Sequence, residues 1–162
     1  MSLVQDLQYA VELARGAGKI ALDYFGRVER LTKTHAAAAN EAVTEADRAV
    51  QRYIVAGLRR RYDGDGTFDC PDPMGRNWVI DPIDGTNNFI GGFGAFAVCI
   101  GLLEAGEPVL GVVYDVCRDE VYSAARGHGA WLGLRRVSVN MTELSDASIL
   151  MMTANALDRH GK

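Results

Sequence analysis

The chain has 162 residues, of which 48% are hydrophobic and 23% charged, with a formal net charge of −4. That length supports one hydrophobic core, so a single domain over 1–162 is expected, and the composition excludes a disordered chain. The acidic balance gives no reason to expect nucleic acid as a partner, and no apolar run approaches the length of a membrane span.

No basic patch leads into an apolar core at Met1-Ser2-Leu3-Val4, so no secretory signal is visible and a cytoplasmic location is expected. Cys70, Cys99 and Cys117 are odd in number and form no close motif, which suits reduced, mostly buried thiols. Their spacing to His35, His128 and His160 is wrong for a zinc site.

From Ser2 to Phe25, the spacing of Leu3, Leu7, Ala10, Ala14, Ala17, Ala21 and Phe25 predicts a long amphipathic helix. Gly16 and Gly18 each lower its intrinsic stability by about 1 kcal/mol relative to alanine and permit close packing. Residues 26–43 read as a connection. It holds a short strand at Val28 to Lys33 and the run Ala36 to Ala39, too short to nucleate a helix alone. A second helix is expected from Thr44 to about Arg61, with Ala46, Val50, Ile54 and Leu58 on one face. Thr44 would cap it, and Asp47 would complete a variant capping box near the positive helix end. Residues 62–77, rich in Asp, Gly and Pro, read as loop.

The next stretch carries the chemistry. A strand-like run, Trp78-Val79-Ile80, ends in Asp81-Pro82-Ile83-Asp84 and then Gly85-Thr86. Two carboxylates held this close repel each other unless a cation lies between them, so Asp81 and Asp84 ask for a metal. Gly85 lets the backbone approach a ligand, and the Thr86 hydroxyl is placed to position a water. The competing reading is that Asp-Pro and Asp-Gly are ordinary turn pairs.

Beyond it, Ala95 to Leu103, Val109 to Val116 and Glu120 to Ala125 read as strands of an antiparallel meander. Asp115 and Asp119 fit turns. Arg126-Gly127-His128-Gly129-Ala130-Trp131 lacks the lysine and helix of a phosphate loop and reads as a turn between strands. Val137 to Asn140 is a last short strand, and Ser145 to Met152 begins another. The expected class is α/β with α+β-type layers, two N-terminal helices packed on a mainly antiparallel sheet.

The string Asp81-Pro82-Ile83-Asp84-Gly85-Thr86-Asn87-Asn88-Phe89 resembles the metal-binding signature of the inositol monophosphatase family, a branch of the Mg-dependent, lithium-sensitive sugar phosphatases. Val43-Thr44-Glu45-Ala46-Asp47, Phe96 to Gly101, Gly111 to Tyr114 and Arg126 to Trp131 resemble the family in order and spacing. The resemblance implies the sugar-phosphatase fold and Mg-dependent hydrolysis of a small phosphate monoester such as an inositol monophosphate. Histidinol phosphate, a nucleotide 3′-phosphate and fructose bisphosphate are substrates within the same superfamily. It implies two or three Mg²⁺ ions, inhibition by Li⁺, and a homodimer. Asp81 would bridge ions, the Ile83 carbonyl and Asp84 would each ligate one, and Gly85 and Thr86 N–H groups would hold the phosphate. Thr44 and Asp47 would form a hydrogen-bond chain to Thr86 and orient the attacking water, which outweighs capping as the reading of that pair.

Two features depart from the pattern. The family strand that ends in Gly-Glu-Glu has no counterpart, since no glutamate lies between Glu45 and Glu104. Asp69 is the nearest substitute ligand, with Asp65 and Asp72 weaker. The family's second α/β half, which supplies another aspartate and the sugar pocket, is also missing from these 162 residues. A reading of another class is therefore a catalytically incomplete metal-binding or assembly domain.

Overall fold

The computed structural model describes residues 2–32, 36–67, 72 and 74–139, with side chains apart from those of 28–32 and 36–42. Asp69, Cys70, His35, His160 and the strand expected at Ser145 to Met152 lie outside the described residues.

The elements follow in the order α1 (Leu3–Thr32), α2 (Ala36–Arg61), β1 (Gly66–Thr67), β2 (Arg76–Asp84), α3 (Thr86–Ile90), β3 (Ala97–Glu104), β4 (Glu107–Asp115), β5 (Glu120–Ala125), β6 (Gly129–Leu132) and β7 (Arg135–Val137). Strand order along the sheet equals chain order. β1 pairs with β2 in parallel, through Gly66 with Asn77 and Thr67 with Trp78, and every later pairing is antiparallel. The helices pack on the sheet, α1 against β3, β4 and β5 and α2 against β2. This is the expected α/β architecture of two N-terminal helices on a mainly antiparallel sheet.

Small residues let the layers close. Ala10, Ala14, Ala17 and Ala21 line the buried face of α1. A Cβ added at Gly18 would stand 2.4 Å from the Tyr114 ring, so helix and strand approach more closely there than alanine allows. On α2, Val43, Ala46, Val50, Ile54 and Leu58 form the buried row. Complete burial of Ile54 and Leu58 stabilises by about 1.5–3 kcal/mol each. In the sheet Val98, Ile100 and Leu102 on β3 and Leu110, Val112 and Tyr114 on β4 alternate inward, the period expected of strands covered by helices on that face.

A buried polar network fixes the other end of the site strand. Asp6 on α1 is 1% exposed and accepts hydrogen bonds from the Tyr62 hydroxyl and the Arg76 guanidinium, both at 2.8 Å. Asp65 accepts from the Trp78 indole at 2.8 Å and lies 3.4 Å from Arg76 Nε. Every buried charge in this cluster therefore has an opposite partner, as burial requires.

Four expectations are corrected. α1 continues through Val28 to Thr32, where a connection and a short strand were expected. α2 begins at Ala36, so the alanine run is its first turns, and Thr44 stands inside the helix and does not cap it. The alanines need no separate nucleus because they extend a helix held by its buried row. β1 pairs within a segment read wholly as loop. Cys117 is exposed, while Cys99 is half-buried, and both are free thiols. Among the described residues no helix is long and apolar enough to cross a membrane.

Candidate functional site

β2 delivers the two carboxylates through an irregularity in its pairing. Asp81 faces Cys99 and Asp84 faces Ala97, so three steps along β2 match two along β3, and the register shifts between them. In a regular strand residues three apart point to opposite faces. The bulge cancels that half-turn and puts both aspartates on one exposed side while Ile83, 1% exposed, points into the core. Pro82 has no N–H to lose and is tolerated inside the strand because it sits in the bulge.

Gly85 then turns the chain. Its φ of 89° and ψ of 36° are left-handed, and a Cβ there would lie 2.9 Å from the Ala95 carbonyl oxygen. Conformation and space both select glycine. α3 follows at once, anchored by the buried Phe89, whose ring centroid lies 5.3 Å from that of Phe25 and 4.8 Å from that of Phe96. The Thr86 hydroxyl donates to the Ile83 carbonyl at 3.0 Å. A carbonyl oxygen has two lone pairs, so Ile83 keeps acceptor capacity.

α2 supplies the third carboxylate. Burial first, then the charge of Asp81, pushes the Asp47 carboxyl up to about 6. Thr44 is exposed one turn earlier on the same helix. Partial burial and then the charge of Asp84 raise the Asp81 carboxyl above its usual range, although a backbone hydrogen bond from Ile83 acts in the opposite direction. Cys99 stands beside the pair. Burial first, then Asp84 and Asp81, pushes its thiol up to about 12, so it stays protonated.

Among the described residues none of Asp47, Asp81 and Asp84 has an ion-pair partner. Asp47 and Asp81, held above their normal range by burial and by neighbouring carboxylates, with Asp84 beside Asp81 and no cation supplied by the described residues, fit a bound metal ion. The donors are all oxygen, which favours a hard cation. Among the described residues no three His, Cys, Asp or Glu side chains converge as a ready-made cage. Asp65 is engaged by Trp78 and Arg76 near the start of β2. Asp72 accepts from Met74 N–H at 3.0 Å in a local turn. Neither is brought to Asp81.

Sequence reasoning did not single out Cys99 or Asn88. Cys99 is legible in the alternation of β3, where Val98 and Ile100 point inward and the residue between them must face Asp81. Asn88 stands within the string that resembles the family signature but carries no role there; its side chain donates to the Ala95 carbonyl at 2.8 Å, across the connection that follows α3.

Comparison with known proteins agrees with this geometry. The model of the inositol monophosphatase family matches residues 3–160. The chain is 39% identical over 156 residues to a histidinol-phosphatase of Chlorobaculum parvum, covering 93% of this chain and 60% of that protein. It is 35% identical over 133 residues to a Nus factor SuhB of Xylella fastidiosa, covering 80% of this chain and 48% of that protein. An inositol monophosphatase structure from Anabaena superposes with a TM-score of 0.72 at 32% identity, covering 88% of this chain and 50% of that one. The chain thus spans about half to three fifths of the length of these relatives.

Proposed function

The chain belongs to the inositol monophosphatase family, and from that premise we propose that it carries the catalytic core of a Mg²⁺-dependent phosphomonoesterase. The observation that supports this best is the bulge-delivered pair Asp81 and Asp84, uncompensated by any cation of the described protein and flanked by Asp47. Asp81, the Ile83 carbonyl, Asp84 and Asp69 would hold the metal, and Li⁺ competing for it would inhibit. Bound Mg²⁺ supplies charge neutralisation at the phosphate and acidifies a water.

The protein's own groups account for the rest. The N–H groups of Gly85 and Thr86 hold phosphate oxygens. Asp47, with Thr44 beside it on α2, accepts the proton of the water that Thr86 orients. That water's oxygen bonds to phosphorus as the ester P–O bond breaks, and the departing alkoxide takes a proton from solvent. Asp47, with its carboxyl at about 6, is ionised at neutral pH yet close enough to neutrality to take and release a proton.

The substrate is a small phosphate ester of the inositol monophosphate kind. Histidinol phosphate is the alternative favoured by the name of one relative, with nucleotide 3′-phosphates and fructose bisphosphate after it. A cytoplasmic homodimer without nucleic-acid or membrane partners completes the proposal. The stretch without glutamate between Glu45 and Glu104 supports a second reading, a metal-binding or assembly domain without turnover. Phosphate release from inositol 1-phosphate, histidinol phosphate, a nucleoside 3′,5′-bisphosphate and fructose 1,6-bisphosphate, with Mg²⁺ or with EDTA, separates the two. Metal-dependent release from one of them supports the enzyme; none from any leaves the second reading.

A further inference from the structure

Asn88 sits in the middle of α3 and ties the Gly85 turn to the start of β3 through three polar groups. Its backbone N–H donates to the Gly85 carbonyl at 2.9 Å, and its carbonyl accepts from Phe93 N–H at 2.8 Å. Its side-chain Nδ2 donates to the Ala95 carbonyl at 2.8 Å. This is the same carbonyl that would stand 2.9 Å from a Cβ at Gly85. The side-chain bond therefore holds Ala95 against the turn at the point where glycine permits contact. Between the two ends run Gly91, Gly92 and Gly94, residues that impose little backbone order of their own. Two residues beyond Ala95, Ala97 pairs with Asp84.

We propose that Asn88 is a positioning residue: its side-chain amide latches residues 84–86 to Ala95 and so sets where the Asp84 carboxylate stands relative to Asp81. The short amide suits the task because it offers a donor to a carbonyl, whereas an aspartate of the same shape would oppose oxygen to oxygen. The consequence for the metal rests on the reading of Asp81 and Asp84 as ligands; the latch does not.

The test compares Asn88→Ala and Asn88→Asp with Asn77→Ala, which removes the side-chain hydrogen bonds of Asn77 to Asp72 and Gly75 near the start of β2. In metal-free protein, amide exchange followed by NMR reads the latch. The Phe89 and Phe93 amides, bonded to Gly85 and Asn88, exchange about fivefold faster in both Asn88 variants, the size expected for one lost neutral hydrogen bond. Ile100 and Val112 keep their rates, and Asn77→Ala leaves Phe89 and Phe93 unchanged. Unaltered Phe89 and Phe93 exchange in the Asn88 variants overturns the latch. Thermal melts with increasing Mg²⁺ then read positioning. The Mg²⁺ concentration for half-maximal stabilisation rises about fivefold in the Asn88 variants and stays put in Asn77→Ala; an unchanged midpoint overturns the positioning role. A wild-type protein that shows no Mg²⁺ response refutes the metal reading, and the exchange arm still decides the latch.

Discussion

Replacing Asp47 by asparagine should stabilise the metal-free protein while removing its proposed catalytic acceptor. The Asp47 carboxyl is raised from 3.8 to about 6 by burial and by Asp81. The folded state thus binds its proton more tightly than the unfolded chain does. The contribution of this group is fully favourable below about pH 4 and is lost as pH rises through about 6, beyond which the charged form carries a standing penalty. A shift of that size corresponds to about 3 kcal/mol. Asp47 is only half-buried, so solvent screening reduces the figure to about 1–1.5 kcal/mol. The asparagine side chain has the same shape and no charge. Urea unfolding in EDTA at a series of pH values checks this. At neutral pH Asp47→Asn should exceed the wild type by about 1 kcal/mol, a gain of roughly 2–4 °C in Tm, and the two should converge near pH 4. A difference that does not vary with pH, or a variant less stable at pH 7, would refute the electrostatic account of the site.

Gly85→Ala combines a left-handed backbone with a Cβ 2.9 Å from the Ala95 carbonyl; a loss of about 2 kcal/mol in urea unfolding is expected, from the conformational penalty plus the clash. Gly18→Ala reverses the usual helix rule. Propensity alone would add about 1 kcal/mol, but the 2.4 Å approach to Tyr114 makes the net effect a loss of about 1–2 kcal/mol, seen as a lower thermal midpoint. Asp6→Ala leaves the partly buried Arg76 without its closest anion and should cost about 3 kcal/mol; a loss under about 1 kcal/mol by chemical denaturation would show that the network is solvated.

The sequence makes the site strand legible because its chemistry is local. An apolar run, two aspartates and a Gly-Thr pair lie within nine residues, and one β-bulge suffices to bring them together. The buried row of α2 is equally plain, since Ala46, Val50, Ile54 and Leu58 keep helical spacing. The alternation along β3 and β4 follows from one covered face. Less visible are features decided by competition or by distant partners. Thr44 offers a cap, yet the alanines upstream extend the helix past it. The two-residue β1 is defined by its partner and has no pattern of its own. Asp65, a candidate ligand by residue type, is taken by Trp78 and Arg76, which no local signal foretells. The turn between β3 and β4 falls at Ala105 and Gly106, both at positive φ, while Glu107 and Pro108 join β4. Proline there is accommodated by the register shift between Leu102 and Leu103.

The central claim is that Asp81 holds a metal on which phosphate release depends, and Mg²⁺ titration of that release from inositol 1-phosphate and histidinol phosphate, by the wild type and by Asp81→Asn, tests it most directly. The account predicts release that saturates with Mg²⁺, stops in EDTA, and falls about 10²–10³-fold in Asp81→Asn, as loss of several kcal/mol of charge stabilisation requires. Release that persists in EDTA, or that survives Asp81→Asn undiminished, would contradict it.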